Sequence, residues 1–175
     1  MKQVLVADLY GLGGYQTSPG MLTLAQKIRA LGPNFIVTGP YNESQWPAAL
    51  AVLKAQAPDW VLAAVGYSLG ANNIVQIAAG LGVRRMDYLA GIQASYWGAG
   101  VFWSGNILLP ANVRVARTIY NPSFVSTGGL GYARYIDYFP SIKLISTPTT
   151  DLHPDVDNDA GLHSLILKDL KGLAQ

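Results

Sequence analysis

Gly66-Tyr67-Ser68-Leu69-Gly70 reads G-x-S-x-G, and its neighbours on both sides give the pattern a meaning. The apolar run Trp60-Val61-Leu62-Ala63-Ala64-Val65 leads directly into it, and Ala71-Asn72-Asn73-Ile74-Val75-Gln76-Ile77-Ala78-Ala79 follows with the composition of a helix. A strand, a sharp turn and a helix would present the serine hydroxyl at the C-terminal edge of a sheet, beside a helix N-terminus. A base can reach the hydroxyl there, and backbone N–H groups can meet a developing oxyanion. The glycines two before and two after the serine leave no Cβ where strand and helix nearly touch. In a chain with 19 glycines the pattern also arises by chance, but seldom between a fully apolar strand and a small-residue helix.

Working outward, strands are expected at 4–7, 35–38, 60–65, 86–92, 113–120 and 141–146. Helices are expected from Ser18-Pro19-Gly20 to Gly32-Pro33, over 45–57, after the elbow, and over 159–173. Alternation of strand and helix implies a parallel sheet with right-handed crossovers. The expectation is an α/β three-layer sandwich with a mostly parallel central sheet of about six strands. Arg114 and Arg117 interrupt the apolar run at 113–120 and suggest a strand near an edge.

The 175 residues suit a single domain, 1–175, with a full hydrophobic core. Half are apolar and 13% are charged, a globular balance, and a net charge of +2 gives no basic surface for nucleic acid. The chain has no cysteine, which removes thiol catalysis, thiolate metal sites and disulfides. The apolar run before Asp8 is too short for a signal peptide, and no run approaches a membrane span. The simplest expected location is the cytoplasm of the producing cell; a phage-encoded or released protein would look the same. Oligomeric state leaves no mark in the sequence.

A serine needs a base to become a nucleophile at neutral pH, and there are two histidines. His163 lies within the last helix beside Leu162 and reads as a surface or half-buried residue. His153 lies in the loop after the last strand, and a doubly wound sheet brings that loop to the same edge as Ser68. The third member would accept the other ring N–H. The expected slot after the fifth strand holds Asn121, a neutral acceptor. Asp137 is the alternative acid, Asp151 could bond locally, and a Ser–His dyad is a further possibility; Asp87 is at the wrong end of its strand. The oxyanion donors would be the N–H of Leu69 and one from the glycine-rich loop after the first strand, at Leu12 or its neighbour. That loop also invites a dinucleotide reading, but Gln16 occupies the position where the fingerprint wants Gly or Ala, so no cofactor is expected. Asp155, Asp157 and Asp159 alternate like calcium ligands. Ala160 and Ile166 replace the glycine and glutamate of such a loop, so no metal is expected, and the acids suit a helix N-terminus. The aromatic stretch 96–103, with Trp46 and Phe124, could wall an acyl pocket, fill the core or form an oligomer contact.

These residues make the chain resemble the α/β-hydrolase superfamily in its small lipase- or esterase-like form. The resemblance is carried by the loop Tyr10-Gly11-Leu12-Gly13-Gly14, the elbow Gly66-Tyr67-Ser68-Leu69-Gly70-Ala71, and His153 in His-Pro-Asp-Val-Asp before the last helix. It spans most of the chain as an ordered arrangement, and the elbow is its specific part. Tyr10 stands where lipases often have histidine, and Asn121 stands in the usual acid position. The resemblance implies a compact, lidless serine hydrolase of cutinase-like size, with Ser68 as nucleophile and His153 as base, acting on a small carboxylic ester or thioester. The alternative is a weak or inactive hydrolase-fold protein that binds a ligand or protein partner; acyl transfer to an acceptor other than water would use the same residues.

Overall fold

The computed structural model describes residues 1–98, 101–103, 106–124, 134–137 and 139–175, with backbone alone for 96–98, 101–103, 106 and 124. Apolar side chains leave the strands on alternate faces, and that alternation builds two cores. Along β1 (Val4–Leu9), Leu5, Ala7 and Leu9 enter one cluster while Val4 and Val6 enter the other. Along β3 (Val61–Tyr67), Leu62 and Ala64 join the first, and Val61, Ala63 and Val65 the second. Strands buried on both faces require helices on both.

The first core is closed by α2 (Trp46–Lys54) and α3 (Leu69–Gly80), through Ala49, Leu53, Ile74 and Ile77. The second is closed by α1 (Pro19–Arg29) and α4 (Ala160–Leu173), through Met21, Leu24, Ile28, Leu162, Ile166 and Leu170. The remaining strands are β2 (Phe35–Tyr41), β4 (Met86–Ile92), β5 (Val113–Tyr120) and β6 (Lys143–Pro148). Their order is β6-β5-β4-β3-β1-β2, and every adjacent pair is parallel. The three-layer expectation therefore holds.

This order positions the site. From β1 the chain moves outward to β2, then returns to place β3 on the other flank of β1. The loops leaving β1 and β3 diverge to opposite sides of one crevice at the C-terminal ends of the strands, where open α/β sheets place their ligands. The glycine-rich loop and the Ser68 elbow are those two loops.

Several boundaries differ from the sequence reading. β1 runs on to Leu9, β2 to Tyr41, and β6 is displaced to Lys143–Pro148. β5 lies next to the edge, as expected, with the edge strand β6 on one side and β4 on the other. Its Arg117 is buried because Nε lies 2.6 Å from Asp169 Oδ2 on α4, which also accepts from Tyr88 at 2.8 Å. A tertiary partner lets a charge occupy an interior strand. Two short ladders complete the described structure: Tyr96–Gly98 with Val101–Trp103, antiparallel, and Asn106–Leu108 with Arg134–Ile136, parallel. Trp46 packs against the first core. The expected aromatic wall over 96–103 and Phe124 lies outside the described side chains. Among the described residues no helix is long and apolar enough to cross a membrane.

Candidate active site

Ser68 adopts φ 53° and ψ −119°, outside the ordinary regions for an L-residue. Such strain costs on the order of 1–3 kcal/mol and persists only where the surroundings impose it. Here close packing imposes it. A Cβ at Gly66 would lie 2.5 Å from the Gly70 carbonyl carbon, and one at Gly70 would lie 2.3 Å from the Tyr10 carbonyl oxygen. The elbow is also tied to β4: Ser68 N–H donates to Ile92 O at 2.9 Å, and Ser95 N–H donates to Ser68 O at 3.0 Å.

The loop after β1 runs against the serine, since a Cβ at Gly11 would meet Ser68 Cβ at 3.0 Å. Gly11 N–H donates to the buried Ser18 Oγ at 3.2 Å, and Gly14 N–H to Gly11 O at 3.1 Å. Between them, the Leu12 N–H has no hydrogen-bond partner among the described residues, and neither has the N–H of Leu69, the first residue of α3. Both N–H groups belong to segments next to Ser68: Leu69 follows it in the chain, and Leu12 follows Gly11 in the loop that runs against it. Just before this loop, the Asp8 carboxyl is fully buried with neither oxygen hydrogen-bonded. Burial raises its pKa well above the usual carboxylate range, against the opposing pull of the Arg29 charge.

His153 comes from the loop between β6 and α4. Its Nε2 is 2.9 Å from Ser68 Oγ, and its Nδ1 is 3.0 Å from Gln93 Oε1. The Tyr67 ring stacks on the imidazole with centroids 4.9 Å apart, and its hydroxyl donates to His153 O. Burial lowers the His153 pKa to about 4, so the ring is neutral at neutral pH. The structure therefore brings together Ser68, His153, Leu69 and the loop at Leu12.

The third position differs from the expectation. Asn121 does not reach the imidazole: its Nδ2 donates to Asp151 O at 2.9 Å, and its Oδ1 accepts from Ser123 N–H at 2.9 Å. Asp137 follows the short strand Arg134–Ile136 and makes no hydrogen bond to the ring, while the Asp151 carboxylate accepts from Thr149 Oγ1 at 2.9 Å. Gln93 takes the place, and sequence reasoning missed it. It is an amide, as Asn121 is, but it follows β4, one strand earlier than the expected slot. Its one local mark is structural: with Ser68 it is one of two non-glycine residues at positive φ among the described residues, here 41°.

His163 is buried, contrary to its reading as a surface or half-buried residue, with 1% exposure. Its Nε2 is 2.6 Å from Asp157 O and its Nδ1 3.1 Å from Lys27 Nζ, so both nitrogens are occupied away from Ser68. The acidic run serves helix N-termini. Asp157 Oδ2 accepts from Gly20 N–H at 2.9 Å, and Asp159 Oδ1 from Leu162 N–H at 2.8 Å. Among the described residues no group of three or more acids and histidines could hold a metal ion.

The architecture is that of the α/β hydrolases. A lidless α/β serine hydrolase from Xanthomonas campestris is similar over 99% of this chain and 84% of its own, with TM-score 0.55 and 16% identity. Est1E from Butyrivibrio proteoclasticus is similar over 98% and 87%, with TM-score 0.57 and 10% identity. A cutinase-like protein from Cryptococcus sp. is similar over 98% and 95%, with TM-score 0.54 and 15% identity. At such identities the likeness concerns the fold. No family model matches the chain, and no curated protein sequence matches it.

Proposed function

We propose that this protein is a serine hydrolase that cleaves a small carboxylic ester or thioester through an acyl-enzyme on Ser68. The observation that carries the reading is the 2.9 Å approach of His153 Nε2 to Ser68 Oγ, at the end of a strained elbow. The serine proton passes to Nε2 as Oγ attacks the acyl carbon. The N–H groups of Leu69 and Leu12 receive the oxyanion. The imidazolium then gives its proton to the departing alkoxide or thiolate, and water repeats the sequence on the acyl-enzyme. The folds of a lidless serine hydrolase and a cutinase-like protein are compatible with this chemistry.

A second reading is favoured by one observation. Among the described residues no carboxylate faces the imidazole, which suits a hydrolase-fold protein that binds a ligand or partner with little turnover. A fluorophosphonate probe separates the two. Wild-type labelling that disappears in Ser68→Ala and falls steeply in His153→Ala supports the hydrolase. A folded wild type that does not label removes it and leaves the binding protein. Product analysis with competing acceptors then separates hydrolysis from acyl transfer.

A further inference from the structure

We infer that Gln93 sets the tautomer of His153 as a neutral amide, and that the site is built to refuse a carboxylate there. Its kinetic arm rests on the hydrolase reading; its spectroscopic arm does not.

The argument starts from one backbone carbonyl. Asp151 O can only accept, and it lies 2.9 Å from the second terminal atom of Gln93, which must therefore be the amide nitrogen. The atom facing the imidazole is then the amide oxygen, 3.0 Å from Nδ1, so Nδ1 must carry the ring proton. Nε2 is left as the bare acceptor, 2.9 Å from Ser68 Oγ. A single carbonyl thus dictates three successive orientations and ends on the tautomer that a general base needs. Asn121 Nδ2 donates to the same carbonyl at 2.9 Å, so both of its lone pairs are used.

A glutamate of the same length at this position would aim an oxygen at Asp151 O across that 2.9 Å. Gln93 is fully buried, and its backbone is held at φ 41° by the N–H bond to Ile119 O at 2.7 Å, so the side chain has neither water nor slack to relieve the conflict. An ionised carboxylate would leave the clamp. A protonated one would restore the donor and forgo the charge. Gln93 is a positioning residue, acting through His153.

The experiment uses protein labelled with ¹⁵N-histidine, in wild type, Gln93→Ala and Gln93→Glu, with fluorophosphonate labelling rates in parallel. Wild-type His153 is expected in the Nδ1–H form. Gln93→Ala should move it toward the Nε2–H form and slow labelling by about tenfold or more. Gln93→Glu should also label more slowly than wild type, although it offers an acid to the ring. If the alanine variant does not fold, the near-isosteric Gln93→Met serves the same measurements. An unchanged tautomer in Gln93→Ala or Gln93→Met overturns the assignment, and faster labelling by Gln93→Glu overturns the exclusion of a carboxylate. A wild type that fails to label, with the tautomer still shifting in Gln93→Ala, removes the hydrolase reading and leaves this one standing.

Discussion

His153 and His163 are the chain's two histidines, and their surroundings hold them in opposite tautomers. Around His153 the Nδ1–H donates to the Gln93 oxygen and leaves Nε2 facing a hydroxyl. Around His163 the Nε2–H donates to the Asp157 carbonyl, and the Nδ1 lone pair faces the Lys27 ammonium. Burial depresses both pKa values. A perturbed pKa therefore does not distinguish a base from a structural ring in this chain. What distinguishes them is where the lone pair points: at a group with a proton to give in reaction, or at a cation that locks helix α1 to α4.

The largest expected effect separates the two rings by substitution. His153→Ala should slow fluorophosphonate labelling by about 10²–10⁴-fold. His163→Ala should leave labelling per folded molecule unchanged and lower stability to urea by about 1–3 kcal/mol, because Asp157 O and Lys27 lose their buried partner. If His163→Ala silenced labelling in folded protein, the distinction would collapse.

The pH dependence sharpens it next. With His153 lowered to about 4, labelling should stay flat from neutral pH down to about 5 and be half lost near 4. An acid limb near the ordinary histidine value in a pH–rate profile would show a ring more solvated than the structure has it. Stability should follow the same sign for both rings. Each folded pKa lies below the unfolded value of 6.5, so the unfolded chain takes up protons first. Their contribution is complete above about 6.5 and is lost as pH falls through the folded values. Urea midpoints at pH 7 and pH 5 should differ in the wild type, and less so in His163→Gln.

The smallest effect belongs to the shared carbonyl. Asn121→Ala removes one of two donors to Asp151 O and should slow labelling by about two- to tenfold, without changing the position of the acid limb. A loss as deep as that of His153→Ala would restore Asn121 to the place next to the ring that the sequence suggested.

Much of this was legible from the residues. The elbow, the strand order implied by alternating elements, and His153 all follow from local pattern: apolar runs, glycine spacing, and a histidine in the last loop. Residues whose role depends on a distant partner were not legible. Arg117 pointed to a strand near an edge, which β5 is, but nothing nearby in the chain reveals that it is buried against Asp169. His163 looked like a helix surface residue because Lys27, which covers it, belongs to α1. Gln93 is the plainest case. A neutral amide was expected beside the ring, but after β5 and not after β4, and the role of Gln93 arises from Asp151, 58 residues later, with a backbone conformation that sequence patterns do not encode.

Asp8 has a consequence for how the protein would migrate. Composition assigns the chain a charge of +2, counting every carboxylate as ionised. A carboxyl that is fully buried, unbonded and pushed well above its usual pKa keeps its proton where the others have lost theirs. Over that interval the folded molecule carries one more positive charge than its formula, and unfolding releases a proton. The linkage runs opposite to that of the histidines, for this group's stabilisation fades as pH rises through its folded pKa. Within that interval Asp8→Asn, a unit change of charge on paper, should be electrophoretically silent in the native state and visible only once the chain is denatured.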